Sequence, residues 1–226
     1  QKYQTAEYIL LLIYAIILGI GRIENIRFLQ INGFFKKTIG MNNLPDPTAI
    51  RRFLYRLTPK TIRQIVKVHD IIQKKVFLLL HTKTSVTFDI DGTVLTVYGR
   101  QQRAKVGYNP TKRGKKSYCF MLCFESNREF WYGSLKSGNV SQVKVARHII
   151  KECLAKLPLP IYRIRVRLDA IFCSKNLIEN YLDEENIGYT IETQLRNPML
   201  PIIEKIKYSH YKGDWETAEF KYCPRG

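Results

Sequence analysis

"TFDIDGTVLTVYGRQQ", residues Thr87 to Gln102, is the stretch on which the reading of this chain turns. Its first half alternates. Val86, Phe88 and Ile90 fall on one face of an extended strand, while Thr87, Asp89 and Asp91 fall on the other. Two carboxylates two residues apart therefore stand together on the polar side of a strand whose opposite side is apolar. Gly92 and Thr93 follow directly. A strand that delivers Asp-x-Asp in this way serves either a phosphoryl nucleophile or a metal ligand, and the surrounding elements must decide between them.

Downstream, "SYCFMLCFES" (Ser117–Ser126) and "FWYGSLKSG" (Phe130–Gly138) read as two more strands at hairpin spacing, turned by "SNRE". Asn139 or Ser141 then caps a helix through "VSQVKVARHIIKECLAKL", whose apolar stripe is Val143, Ala146, Ile150, Cys153 and Leu157. "LPLP" breaks that helix. "IYRIRVRLDAIF" is a fourth strand, "SKNLIENYLDEEN" a helix ending at Gly188, and "GYTIET" a fifth strand. Three meandering strands followed by helix, strand, helix and strand predict a mixed sheet covered by helices, in the ribonuclease-H-like order.

Upstream, residues 1 to about 80 read as helical. "YILLLIYAIILGI" (Tyr8–Ile20) is apolar but only 13 residues long, between Glu7 and Arg22. At 1.5 Å per residue it falls short of the roughly 30 Å of a bilayer core, so it is expected to be a buried helix, with no membrane partner. In "LPDPTAIRRFLYRLTPKTIRQIVKVHDIIQKKVFLLL", Thr48 can cap a short helix ending near Leu57. Thr58 caps the next, with Pro59 at its first position. Arg51, Arg52, Arg56, Lys60 and Arg63 surround that junction. Either a helix-turn-helix or an ordinary basic helical hairpin fits.

Composition constrains the partner. The 226 residues carry 37 Lys and Arg against 19 Asp and Glu, a formal net charge of +18. Such a surplus suits a polyanion, because cations that neutralise phosphates release counterions, although a basic soluble protein without that role shares the charge. Gly92 to Phe124 holds seven basic residues (Arg100, Arg103, Lys105, Lys112, Arg113, Lys115 and Lys116) and no acidic one. Beside the aspartates, this loop is expected to contact phosphate. Tyr98, Tyr108 and Tyr118 interleave with it, for base stacking or for packing the strand ends. The five cysteines and the histidines at 69, 81, 148 and 210 show no zinc spacing, which points to reduced thiols and a cytoplasmic protein.

Two chemistries compete for the aspartates. "FDIDGTV" matches the first motif of haloacid-dehalogenase-like phosphatases, where the first Asp would attack phosphorus and the second act as acid and base. That family needs a parallel doubly wound sheet and a late acidic pair after an apolar strand. The nearest candidates, Asp214, Glu216 and Glu219, follow "KYSHYK", which is no buried strand. In the alternative, Asp169 ends the fourth strand, 169 − 91 = 78 residues after Asp91. Neighbouring strands can then bring both carboxylates together around two Mg²⁺ or Mn²⁺ ions about 3.5–4 Å apart.

"DIDGTVLTVYGRQQRAKVGYNPTKRGKKSYCFMLCF", "KSGNVS" and "RLDAIFCSKNLIENYLDEENIGYTI" together resemble the DDE-domain transposases of bacterial insertion sequences. The branch in question has a D-x-D-x-T first strand, a G-Y-N-P-x-K-R-G loop, a G-N helix cap and an R-x-D-[SA]-x-F fourth strand. The resemblance implies that Asp91 and Asp169 are the first two catalytic aspartates and metal ligands, with Asp89 a same-face neighbour. It implies cleavage and strand transfer of double-stranded DNA at terminal inverted repeats, by a homodimer acting on the bacterial nucleoid. DNA contacts are expected from the basic loop and from Arg51, Arg52 and Arg56. The family's third carboxylate, a Glu on a late helix, has no counterpart in this sequence. The expected layout is a helical region at 1–80, a catalytic core at 81–195 and the start of an insertion at 196–226, where the chain reads as truncated. A DNA-binding remnant without catalysis is the further alternative.

Overall fold

The structure, a computed structural model, describes residues 3–80, 84–157, 161 and 163–221. His81, Cys223, Tyr162 and the prolines of "LPLP" lie outside the described residues. The chain forms two compact units, Gln1–Ile72 and Gln73–Gly226. No described helix is long and apolar enough to cross a membrane.

The first unit is helical. Helix α1 (Thr5–Ile17) is followed by a 3₁₀ turn (Ile23–Ile26), short helices α2 (Arg27–Gln30) and α3 (Gly33–Thr38), α4 (Pro47–Arg56) and the start of α5 (Pro59–Leu80). Tyr8, Leu11 and Ala15 of α1 are buried with Ile26, Leu29, Met41, Leu44, Ile50 and Phe53, and the Tyr8 and Phe53 rings stack at 4.5 Å. The apolar run from Tyr8 is buried on one face only: Leu10, Ile13, Ile16, Ile17 and Leu18 are exposed, so the expected buried helix is found in part. No residue of α5 belongs to this cluster. The cap of α4 departs from expectation. Asp46, not Thr48, precedes the helix and accepts the Ala49 N–H at 2.9 Å, because Pro47 at the first position sets the helical φ one residue earlier. Thr58 accepts the Thr61 N–H at 3.2 Å, as the sequence suggested for the start of α5.

The second unit is built on a six-stranded mixed sheet. Its strands are β1 (Ser85–Thr96), the two-residue β2 (Lys105–Val106), β3 (Lys116–Glu125), β4 (Phe130–Ser137), β5 (Arg163–Leu168) and β6 (Gly188–Ile191). Neighbours run β2-β3-β1-β5-β6, with β4 also beside β3. Pairs β1–β3 and β3–β4 are antiparallel; β1–β5 and β5–β6 are parallel. This is the meander followed by crossovers that the element order predicted. Helix α6 (Gln142–Lys156) starts at Ser141, whose hydroxyl accepts the Lys144 N–H. Asn139 makes no such cap. Below the last crossover, "SKNLIENYLDEEN" is less regular than expected: α7 covers only Lys175–Leu177, and a π-helical stretch spans Ile178–Asp183.

One face of the sheet carries the core. Val86, Phe88 and Ile90 of β1 pack with Met121 and Cys123 of β3, Trp131 of β4 and Val166 of β5. Ile149, Ile150 and Cys153 of α6 close over them, with Phe172, Leu177 and Leu182 beyond. Removing this apolar surface from water, at roughly 25 cal/mol per Å², is what makes the alternation of β1 obligatory, since a one-residue slip would bury Asp89 and Asp91. A short helix α8 (Leu200–Lys205) and an exposed hairpin of β7 (Ser209–Lys212) and β8 (Trp215–Thr217) complete the described chain.

Candidate active site and basic loop

The parallel register of β1 and β5 sets the geometry of the acidic residues. It runs from Ser85 beside Arg163 to Ile90 beside Leu168. The residues that directly follow this last pair are Asp91 and Asp169, at the same sequence offset of 78. β5 ends at Leu168, whereas β1 continues to Thr96 along β3. Asp91 therefore faces the open space beyond the end of β5, and both aspartates are exposed.

Local structure fixes each carboxylate. One oxygen of Asp91 accepts the Gly92 N–H at 2.7 Å. One oxygen of Asp169 accepts the Ala170 N–H, and Asp169 precedes the 3₁₀ turn Ala170–Phe172. Phe172 is fully buried and anchors that turn in the core. A Cβ on Gly92 would lie 3.7 Å from Met121 and 3.9 Å from Phe172, so Gly92 turns toward these two core side chains with room for a methyl group.

Asp89 is different. It lies opposite Arg167 in the register and is held by that guanidinium through two hydrogen bonds, Nη2 to Oδ2 at 2.6 Å and Nε to Oδ1. The bond to Asp89 raises the Arg167 pKa above its ordinary value. The guanidinium neutralises Asp89 and occupies one position on each of its oxygens, whereas Asp91 and Asp169 each accept a single backbone N–H. Arg163 and Arg165 are exposed on the same face.

The donor chemistry fits a hard divalent cation. Two exposed carboxylates at the end of a rigid strand pair suit Mg²⁺ or Mn²⁺, which prefer oxygen ligands and retain several waters. Among the described residues, however, no group of three His, Cys, Asp or Glu side chains is placed to hold a metal. Asp214 and Glu216 lie on or beside the exposed hairpin strands β7 and β8. The antiparallel neighbour of β1 also disagrees with the all-parallel sheet that the phosphatase motif requires.

The basic stretch after β1 is an ordered structure. All seven of its cations are exposed. Arg100, Lys115 and Lys116 line one pocket with Tyr98, Val106 and Gly114, while Lys112 and Arg113 sit in the adjoining turn. The turn hangs on Asn109, which is only 4% exposed. Its side-chain N–H₂ donates to Thr96 Oγ1 at 2.8 Å, and its carbonyl oxygen accepts the Lys112 N–H at 2.9 Å. Gly107 crosses Gly138 so closely that a Cβ would lie 1.9 Å from the Gly138 carbonyl oxygen. These residues were visible only as letters of a motif; their burial depends on contacts that no local pattern encodes. Tyr118 is spent on structure, donating its hydroxyl to the Gln102 carbonyl at 2.5 Å, whereas Tyr98 and Tyr108 remain 75% and 58% exposed. In the first unit, Arg51 pairs with Glu24 and Arg56 Nε donates to the Arg52 carbonyl at 3.2 Å.

Comparison with known proteins gives a family. The family model described as transposase DDE domain group 1 matches residues 1–224. No curated protein matches the chain. Among solved structures, the piggyBac transposase in a synaptic complex with hairpin DNA is similar at 19% identity and a TM-score of 0.38, over 74% of this chain and 37% of that one. The Mos1 transposase in a paired-end complex with the left transposon end is similar at 12% identity and a TM-score of 0.31, over 84% of this chain and 58% of that one. A Mos1 mariner paired-end complex with Mn matches at the same identity and score. The chain spans less than two thirds of the length of each.

Proposed function

The chain belongs to the DDE transposase family, and on that premise we propose that it supplies the first two catalytic carboxylates of a metal-dependent DNA strand cleavage and strand-transfer reaction at the ends of an insertion sequence. The observation that supports this reading is the parallel register of β1 and β5, whose last pair, Ile90 beside Leu168, directly precedes Asp91 and Asp169. The strand order, an antiparallel meander followed by two parallel strands, supports the ribonuclease-H-like assignment for the catalytic unit.

Asp91 and Asp169 would hold Mg²⁺ or Mn²⁺, and such an ion supplies Lewis-acid stabilisation of the charge that develops on a phosphodiester under attack. The remaining work falls to the chain. Met121 and Phe172, fully buried in the core behind this end of the sheet, anchor the elements that carry the two aspartates. Arg167 neutralises Asp89 and so lowers the negative charge that the polar face of β1 would present to DNA. The basic loop orients double-stranded DNA through its phosphates, with the terminal inverted repeats and target DNA as the substrates and a homodimer as the acting species. With no third carboxylate beside the pair among the described residues, the 226-residue chain alone is proposed to bind DNA without cutting it.

The test is a cleavage assay on duplexes carrying the element end, using the full-length protein. Asp91→Asn and Asp169→Asn should each remove strand cleavage while DNA binding, which rests on the basic surface, persists. Cleavage that survives either substitution overturns the assignment. The phosphatase alternative predicts a phosphomonoesterase activity lost in Asp89→Asn, and no such activity is expected here.

A further inference from the structure

We infer that the pocket between the end of β1 and the turn at Gly114 is a subsite for a single unpaired nucleotide of the bound DNA; the inference rests on the DNA-binding reading above. The pocket has a volume of about 380 Å³, within the range of cavities that hold small organic ligands. Its lining joins two chemistries. Arg100, Lys115 and Lys116 supply cations, while Tyr98 and Val106 supply apolar surface that is 75% and 52% exposed. A ring left in water amid three cations is the combination that binds a nucleotide, the phosphate on the cations and the base on the ring.

Duplex DNA satisfies only half of that lining, because a paired, stacked base offers no face to Tyr98. The partner that satisfies both halves has a base out of the stack. The described lining contains no carboxylate, and neither does the segment from Gly92 to Phe124. The site is also built in advance. Asn109 ties the turn bearing Lys112 and Arg113 to Thr96, and the Gly107–Gly138 crossing pins the start of that turn, so the wall formed by Lys115 and Lys116 is held before DNA arrives. Tyr118, which shares the sequence neighbourhood, is excluded because its hydroxyl is engaged with Gln102. From Asp91 to Thr96 the strand rises roughly 16 Å, the length of about five nucleotides along one strand, so one DNA molecule can reach both places.

The experiment compares two oligonucleotides of equal charge, a fully paired duplex and the same duplex with an abasic site that leaves the opposite nucleotide unpaired, by fluorescence anisotropy at fixed salt. The expected ratio of dissociation constants for the wild-type chain is about 5- to 100-fold in favour of the unpaired nucleotide, the worth of one base stacked on an aromatic side chain. Tyr98→Ala should bring that ratio close to one, Tyr98→Phe should restore it, and Asn109→Ala should reduce it by loosening the wall. Circular dichroism verifies the fold of each variant, because an unfolded basic chain would also bind both oligonucleotides alike. A wild-type ratio near one, or a ratio unchanged in Tyr98→Ala, overturns the subsite while leaving DNA binding standing. Failure to bind either oligonucleotide overturns both readings.

Discussion

Replacing Lys112, Arg113, Lys115 and Lys116 together by Ala tests whether the basic loop touches DNA phosphates, and the structure sets the size of the effect. All four side chains are exposed, and the turn is held by Asn109 rather than by the cations themselves. Their removal should therefore leave folding nearly unchanged, as surface substitutions usually do. Each phosphate neutralised adds about 0.9 to the slope of log K against log salt on duplex DNA. Four contacts correspond to a slope flattened by about 3.6. Over the fourfold rise from 50 to 200 mM salt, the wild-type chain should then lose about 150-fold more affinity than the variant. The assay is a salt titration of duplex binding by anisotropy, with circular dichroism to verify the fold. A slope changed by less than about one unit would mean that the loop is a solvated surface, and the reasoning from charge to phosphate contact would be wrong.

Other expectations follow from individual contacts. Arg167→Ala should cost no more than about 1 kcal/mol in urea unfolding, because the pair it makes with Asp89 is half exposed; a loss above about 3 kcal/mol would reveal a buried pair instead. Asp46→Ala should destabilise the first unit by about 1 kcal/mol at pH 7. The Ala49 N–H holds the Asp46 pKa below its ordinary value, so this stabilisation is present above about pH 4 and fades as pH falls through the depressed value. The penalty of Asp46→Ala should accordingly shrink at pH 2 to 3, and an equal penalty at both pH values would contradict the cap. Gly107→Ala should destabilise the second unit by about 1–3 kcal/mol, since its Cβ would overlap the Gly138 carbonyl; unchanged melting would show that the crossing yields freely. Ile149→Ala, from a fully buried side chain, should cost about 2–5 kcal/mol, and less than 1 kcal/mol would deny its place in the core.

Much of the sheet was legible because burial imposes a period of two. Val86, Phe88 and Ile90 announced the buried face of β1, and therefore placed Asp89 and Asp91 together on the other. The element order gave the meander and the crossovers, since three strands at hairpin spacing have few ways to pair. Partnerships across the sheet were less accessible. That Arg167 takes Asp89 follows only once the offset of 78 between β1 and β5 is known, and three arginines of that strand share the polar face. At α4, Asp46 and Thr48 were both competent caps, and Pro47 decided between them through its fixed φ. Asn109 carries no periodic signal at all. Its role arises from a hydrogen bond across 13 residues to Thr96, which only the folded loop creates.

The central claim, that Asp91 and Asp169 jointly hold a divalent ion, is tested most directly by titrating Mn²⁺ into the isotope-labelled chain and following paramagnetic broadening of its amide resonances. Gly92 and Ala170 donate their amides to the two carboxylates and so report on them individually. Both resonances should broaden first and together, and Asp91→Asn or Asp169→Asn should abolish the effect at both. Broadening that begins elsewhere, or that persists at Gly92 when Asp169 is neutralised, would contradict the claim.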